Sequence, residues 1–233
     1  MWAILSGIEG NLTAYEAVLA DVKQQTAVEA LYVLGDMVGL SPDNDATIDR
    51  LRSPKPGELE PQVCTGWWEE QCFALHGVGT SGDPVELRDR YGSEAISQLW
   101  NSVSRDRVQW LRSLNFGFVE LDCLLIHGSS VSVSEELSPK TPPWQMLDRL
   151  QRMGVNSLFC GRSGLAFEYQ LETSTMTATV TTLDGRQSPE TIQSQPRQVI
   201  GVGNVGRKLG EASYVLYSPG GDRNAIQFKT VLY

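Results

Sequence analysis

The sequence contains 2 histidines, His76 and His127, and this scarcity limits its chemistry before any fold is considered. Metal centres built on imidazole use roughly two to four such ligands per cluster. No G-x-S-x-G turn, Walker-type loop or Ser–His–Asp set offers a nucleophile in its place. Chemistry-bearing side chains instead fall in short glycine-containing turns. Glu9 lies in "SGIEGN" (6–11), Asp36 in "LGDMVG" (34–39), His127 in "LIHGSS" (125–130) and Arg162 in "CGRSG" (160–164). Each turn follows an apolar run, so each belongs at the carboxyl end of a strand, where α/β folds gather their ligand-binding groups. Asp36 is there either a metal ligand or a turn-capping carboxylate. His127 is either a ligand or a hydrogen-bonded structural imidazole. His76, just before "GVGTSGD", reads as structural.

The elements that must position these residues are legible in outline. Residues 2–6 form a short buried strand. A capping box at Thr13–Glu16 opens a helix whose apolar stripe is Leu12, Tyr15, Ala17, Val18 and Val22. Residues 30–34 form a second strand, completing a right-handed βαβ unit with Asp36 facing the same crevice as residues 6–9. Helix is expected over 43–52, over 84–114 with a break near Gly92, and over 143–153. The proline- and glycine-rich 53–66 reads as a surface excursion, and "CFAL" at 72–75 as a third strand. A hairpin is expected over 117–126, then strands near 156–160, 165–171, 176–183, 198–202, 212–218 and 225–232. An α/β first half and a largely antiparallel second half imply two sheets packed face to face with helices outside.

At 233 residues the chain can bury a full core, and its formal net charge of −9 disfavours sequence-independent nucleic-acid binding. No apolar run approaches the roughly 18 residues that span a bilayer, and the N-terminus has no signal-peptide pattern. The four cysteines, Cys64, Cys72, Cys123 and Cys160, show no C-x-x-C spacing, so buried free thiols in a cytoplasmic protein are expected. "GVGNVG" (201–206) has the letters of a dinucleotide fingerprint but follows a late strand without a capped helix.

Taken in order, the turns at 6–11, 34–39, 76–83, 125–130 and 160–164 resemble the metal-binding loops of the calcineurin-like metallophosphoesterases. Those loops read Asp-x-His-Gly-Asn, Gly-Asp, Gly-Asn-His-Asp, His-Gly and Gly-His-Thr-His. "LSPDN" is similar to the family's turn after the second strand, "LWNSVSRDRVQWLRSLN" to its helix pair, and "GVGNVGR" (201–207) to its late Asn-Pro-Gly-Ser-Val-Gly segment. The resemblance covers nearly the whole chain and implies one domain over 1–233, a four-layer α/β/β/α sandwich of two mixed sheets, with an insertion at about 53–71.

The same resemblance implies a degenerate centre. The first motif's aspartate is Gly7 and its histidine Glu9. The bridging aspartate persists as Asp36 and the His-Gly histidine as His127. In the third motif the asparagine is Val78 and the histidine Gly79, and in the last the two histidines are Arg162 and Gly164. Gly7, Val78 and Gly164 offer no side-chain donor, so no dinuclear site is expected. The implied function is a pseudoenzyme that binds a small ligand or a protein through the old crevice or the 53–71 segment, with no cofactor and no membrane partner. The alternatives are a phosphoesterase using one weakly held divalent ion such as manganese or zinc on Asp36, His127 and Glu9, or a purely structural subunit. Arg162 is expected to point into the crevice and pair with Asp36 or Glu9, directly or through one water. Trp67–Trp68 is either a partner-binding patch or packs back on the body.

Overall fold

The computed structural model describes residues 1–78, 84–172, 175–181, 187–193, 196–220 and 225–233. Two five-stranded mixed sheets dominate it. The first joins β1 (Trp2–Leu5), β2 (Ala30–Leu34), β3 (Pro61–Cys64), β11 (Glu211–Tyr217) and β12 (Ile226–Leu232) in the order β12-β11-β1-β2-β3. The second joins β4 (Gly117–Glu120), β5 (Cys123–Ile126), β6 (Ser157–Cys160), β7 (Ala166–Leu171) and β10 (Arg197–Val202) in the order β4-β5-β6-β10-β7. In each sheet three adjacent strands run parallel: β1, β2 and β3 in one, β5, β6 and β10 in the other. A separate hairpin pairs β8 (Thr175–Thr181) with β9 (Gln187–Gln193).

Period-two side-chain alternation converts these strands into four layers. Trp2, Ile4, Tyr32 and Leu34 of the first sheet meet Cys123, Leu125, Phe159 and Ile200 of the second between the sheets. Their neighbours Ala3, Leu5, Leu31 and Val33 face outward onto α1 (Leu12–Gln24) and α2 (Asn44–Arg52). On the far side, Leu124, Ile126, Leu158 and Val199 pack against Met146 and Leu150 of α6 (Pro143–Met153). Both faces of β1, β2, β5 and β6 are buried, which is why these strands read as continuous apolar runs. The expected α/β/β/α sandwich is the observed one.

The structure differs from the sequence reading at several elements. Residues 72–75 are not a strand but the end of α3 (Trp67–Leu75). A four-residue apolar run has no periodicity of its own, and Glu69 decides the matter by reaching back to the Gly66 N–H at 2.8 Å to start a helix. The third strand is β3, which lies inside the segment read as an insertion. Arg50 ties that segment to the body by pairing with Glu16 of α1 at 2.6 Å and Glu58 at 2.7 Å. The α1 cap is Asn11, whose side chain accepts from the Ala14 N–H, rather than a box at Thr13. The break at Gly92 is real: with φ 80° it divides α4 (Val85–Ser102), which α5 (Arg105–Arg112) follows. Strand β9 is polar in sequence and shows itself only through its pairing with β8. All four cysteines are free and buried. Among the described residues no helix is long and apolar enough to cross a membrane.

Phe159 fills the space between the sheets, whereas Phe228 on the outer strand β12 is half-exposed. Phe159→Ala should lower the unfolding free energy by about 3–5 kcal/mol in a urea titration. Phe228→Ala should change it by about 0.5 kcal/mol or less.

Candidate functional site

The carboxyl ends of the parallel strands from both sheets converge on one crevice. Its floor is made by two turns zipped together through the backbone: Gly7 N–H donates to Gly35 at 3.1 Å, Glu9 N–H to Asp36 at 2.9 Å and Gly10 N–H to Met37 at 2.8 Å. Glu9 and Asp36 both sit at φ 52°, a left-handed conformation that non-glycine residues adopt at a cost of about 1–3 kcal/mol. The zipped turns hold them there.

A second carboxylate organises the floor from below. Glu69 accepts four backbone N–H groups: those of Asp36 and Gly66 on Oε2, and those of Met37 and Val38 on Oε1, at 2.8–3.1 Å. Burial and the Asp36 charge push its carboxyl up to about 7, against the four donors. The turn after β3 must press closely on Asp36, because a Cβ on Gly66 would stand 2.2 Å from the Asp36 nitrogen. Asp36 in turn accepts the Trp68 N–H on Oδ1 at 2.8 Å.

Asp36 and His127 meet across the two sheets. His127 Nδ1 lies 2.8 Å from the Leu34 carbonyl, which can only accept, so that nitrogen carries a proton. Its Nε2 stands 3.2 Å from Asp36 Oδ2, at ion-pair distance but off line for a hydrogen bond, and both side chains are fully buried. Burial opposes charge on each. The Asp36 charge outweighs it and raises His127 above the ordinary imidazole value, while the His127 charge, the Trp68 N–H and Arg162 hold Asp36 below the ordinary carboxylate value.

The remaining places in the crevice are filled by the turn after β10. Asn204 donates from Nδ2 to Glu9 Oε1 at 3.1 Å, and Arg207 donates to the same oxygen from Nη2 at 2.7 Å and from Nε at 3.1 Å. A Cβ on Gly7 would lie 1.9 Å from Asn204 Nδ2, and one on Gly164 would lie 2.3 Å from Arg207 Nη1. Both glycines also have positive φ, so neither position accepts a side chain without displacing these residues. Burial raises the Glu9 carboxyl above its usual range despite Arg207.

Arg162 does point into the crevice, with 5% of its surface exposed, and its charge acts on Asp36, but it makes no direct ion pair with either expected carboxylate. Glu9 is taken by Arg207, and Asp36 by His127. The Arg162 guanidinium lies over the Trp67 ring, 4.6 Å from its centroid. Its Nε and Nη2 are buried and have no partner among the described residues. Each such donor costs about 1–3 kcal/mol.

The third motif is displaced from its expected place. The turn after the third parallel strand is Gly66–Trp67–Trp68–Glu69, not 76–83. Val78 is half-buried against the helices of the first sheet, and Gly79 lies outside the described residues. Trp67 and Trp68 are both buried, so the pair packs back on the body, with ring centroids 4.8 Å apart. His76 stacks on Trp100 at 4.4 Å, as a structural residue. Sequence reasoning missed Glu69, Asn204 and Arg207 as crevice residues. The available signal for Glu69 was a glycine followed three residues later by an acid, after the short strand "PQVC".

These turns, on two face-to-face mixed sheets, define the metallophosphoesterase fold. The whole chain superposes on the crystal structure of a metallophosphoesterase from Sphaerobacter thermophilus, with a TM-score of 0.64 and 21% identity, covering 100% of this chain and 88% of that one. A protein serine/threonine phosphatase from Saccharomyces cerevisiae aligns more loosely, with a TM-score of 0.46 and 10% identity over 100% of this chain and 79% of that one. No protein-family model matches the chain, and no curated protein matches it in sequence.

The residues present do not fit the two metal ions that this fold houses in its enzymes. Among the described residues no three His, Cys, Asp or Glu side chains are grouped to hold a metal. Asp36 and His127 remain, but Glu9 is bound by a guanidinium, and Asn204 and Arg207 block the Gly7 and Gly164 positions.

Two outcomes test this network. Glu69→Gln would turn an amide NH₂ toward two backbone N–H groups and should lower stability by about 1–3 kcal/mol in urea. The Asp36–His127 pair predicts a bounded pH window. His127 stabilises fully below its unfolded value of 6.5 and loses that contribution as pH rises through its raised folded value. Asp36 stabilises above its unfolded value of 3.8 and loses that contribution as pH falls through its depressed folded value. His127→Gln should remove the alkaline-side fall in melting temperature that the wild type shows.

Proposed function

We propose that the protein is a catalytically silent relative of the metallophosphoesterases, which binds a small ligand or a protein partner through the former active-site crevice. One observation carries this reading: the space beside Gly7 and Gly164 is occupied. Asn204 and Arg207 stand where a side chain on residue 7 or residue 164 would go, and Glu9 is neutralised by Arg207 rather than free to coordinate. Turnover in enzymes of this kind depends on ions that activate water and clamp phosphate oxygens. A donor set reduced to Asp36 and His127, with Asp36 Oδ1 already accepting from Trp68, does not support that chemistry.

The single-ion phosphoesterase would need Glu9 released from Arg207 and Arg162 moved from the neighbourhood of Asp36. Nothing in the hydrogen bonding favours either change. A closed structural subunit is opposed by the half-exposed Arg207 and Tyr91 beside the crevice.

Protein purified with manganese or zinc should carry far less than one ion per chain by elemental analysis, and should not hydrolyse phosphomonoesters or phosphodiesters above buffer. Gly7→Asp with Gly164→His should not restore stoichiometric metal while Asn204 and Arg207 remain. Turnover by the wild-type protein that vanishes in Asp36→Asn would defeat the proposal.

A further inference from the structure

Away from the crevice, β12 forms an open edge of the first sheet. Among the described residues β11 is its only partner strand. At one end of their ladder the Ser218 N–H donates to the Ala225 carbonyl at 2.8 Å, and at the other the Tyr233 N–H donates to the Gly210 carbonyl at 3.2 Å. Hydrogen-bonded and non-bonded pairs alternate along an antiparallel ladder. Odd-numbered residues from Ala225 to Tyr233 therefore direct their backbone groups at β11. Ile226, Phe228, Thr230 and Leu232 turn theirs to the open side.

The same four residues share one face of the sheet. Ile226 packs into the layer between the sheets, whereas Val231 and Tyr233 pack toward the helices. Phe228 and Leu232, on the Ile226 face, stay 43% and 78% exposed. Edge strands are usually protected by proline, a bulge, charge or shortness. β12 has no proline, and its register runs unbroken from Ile226 to Leu232. Its one charge, Lys229, lies opposite Tyr214 on the helix side. The other edges of the two main sheets are blunted: β3 opens with Pro61 and is bridged at Cys64 by Asn115, β4 has 4 residues, and β7 exposes Glu168 at its centre.

We propose that β12 is a homodimer edge, where two copies pair antiparallel about a two-fold axis at Thr230 and join their first sheets into one. In this register Thr230 faces its own copy as a hydrogen-bonded pair, so the open N–H and C=O groups satisfy one another. Phe228 faces Leu232 of the second copy, twice, which covers the two exposed apolar side chains with each other. Lys229 faces Val231. An axis at Lys229 would set two lysines directly opposite, and an axis at Phe228 or Val231 would separate Phe228 from Leu232. One register thus suits the backbone groups, the apolar side chains and the charge together. The pairing lies outside the crevice and is independent of what the crevice binds.

Sedimentation equilibrium of the full chain should show a concentration-dependent monomer–dimer equilibrium. Thr230→Pro removes both hydrogen bonds of the central pair but none to β11, and should raise the dimer Kd by about tenfold or more. Leu232→Lys sets a charge against Phe228 and should do the same; its exposed position keeps the test open even where Thr230→Pro folds poorly. Thr230→Cys should cross-link under mild oxidation, because facing Cα atoms would stand about 5.5 Å apart, within disulfide reach. All four native cysteines are buried and do not compete. Gln227→Cys is equally exposed on β12, but its two copies would stand roughly 20 Å apart and should not cross-link. A dimer unaffected by Leu232→Lys, or cross-linking as efficient through Gln227→Cys as through Thr230→Cys, overturns the proposal. A monomer at every concentration also overturns it, and leaves the edge to a strand from another protein.

Discussion

The crevice depends on one constraint: Asp36 is an ionised carboxylate buried at the meeting point of two sheets. Removed from water, such a charge must be matched by a cation and by hydrogen bonds, or it becomes protonated. His127 supplies the cation from the second sheet and Trp68 supplies a backbone donor from the turn after β3. The His127 ring also donates to the Leu34 carbonyl, so a single imidazole joins the end of β2 to the end of β5. The sheets are held in register at this rim by polar contacts, while the apolar layer between them holds their bodies together.

Glu69 extends the same logic to the backbone. Three consecutive N–H groups, from Asp36 to Val38, point at one carboxylate, and a fourth comes from Gly66. The turn that presents Asp36 is therefore shaped by a side chain from another element. That explains how Asp36 tolerates a left-handed backbone, and why the approach of Gly66 leaves no room for a Cβ.

Side chains from the turn after β10 close the crevice beside Gly7 and Gly164. A side chain at residue 7 would meet Asn204, and one at residue 164 would meet Arg207. Fixed guanidinium charges stand among carboxylates that would otherwise be unpaired, at Glu9 directly and at Asp36 through space. A fixed guanidinium balances carboxylate charge through its own charge and hydrogen bonds.

Much of this was legible in the sequence because it depends on local pattern. Apolar runs bounded by glycine turns identified β1, β2, β5, β6 and β10, the amphipathic stripe identified α1, and the ordered turns placed Glu9, Asp36, His127 and Arg162 together. The register of the third motif was not legible, since "CFAL" is too short to have a period and the choice between strand and helix fell to Glu69 reaching Gly66. The partners of the charged groups were hidden for a different reason. Arg207 is 198 residues from Glu9, and Asn204 is 195. A charge identified from sequence must find some counter-charge when buried, but several elements could have supplied it. Only the packing of the two sheets, which brings the end of β10 over the first turn, decided that Arg207 would neutralise Glu9 and leave Arg162 stacked on Trp67 with donors unmatched.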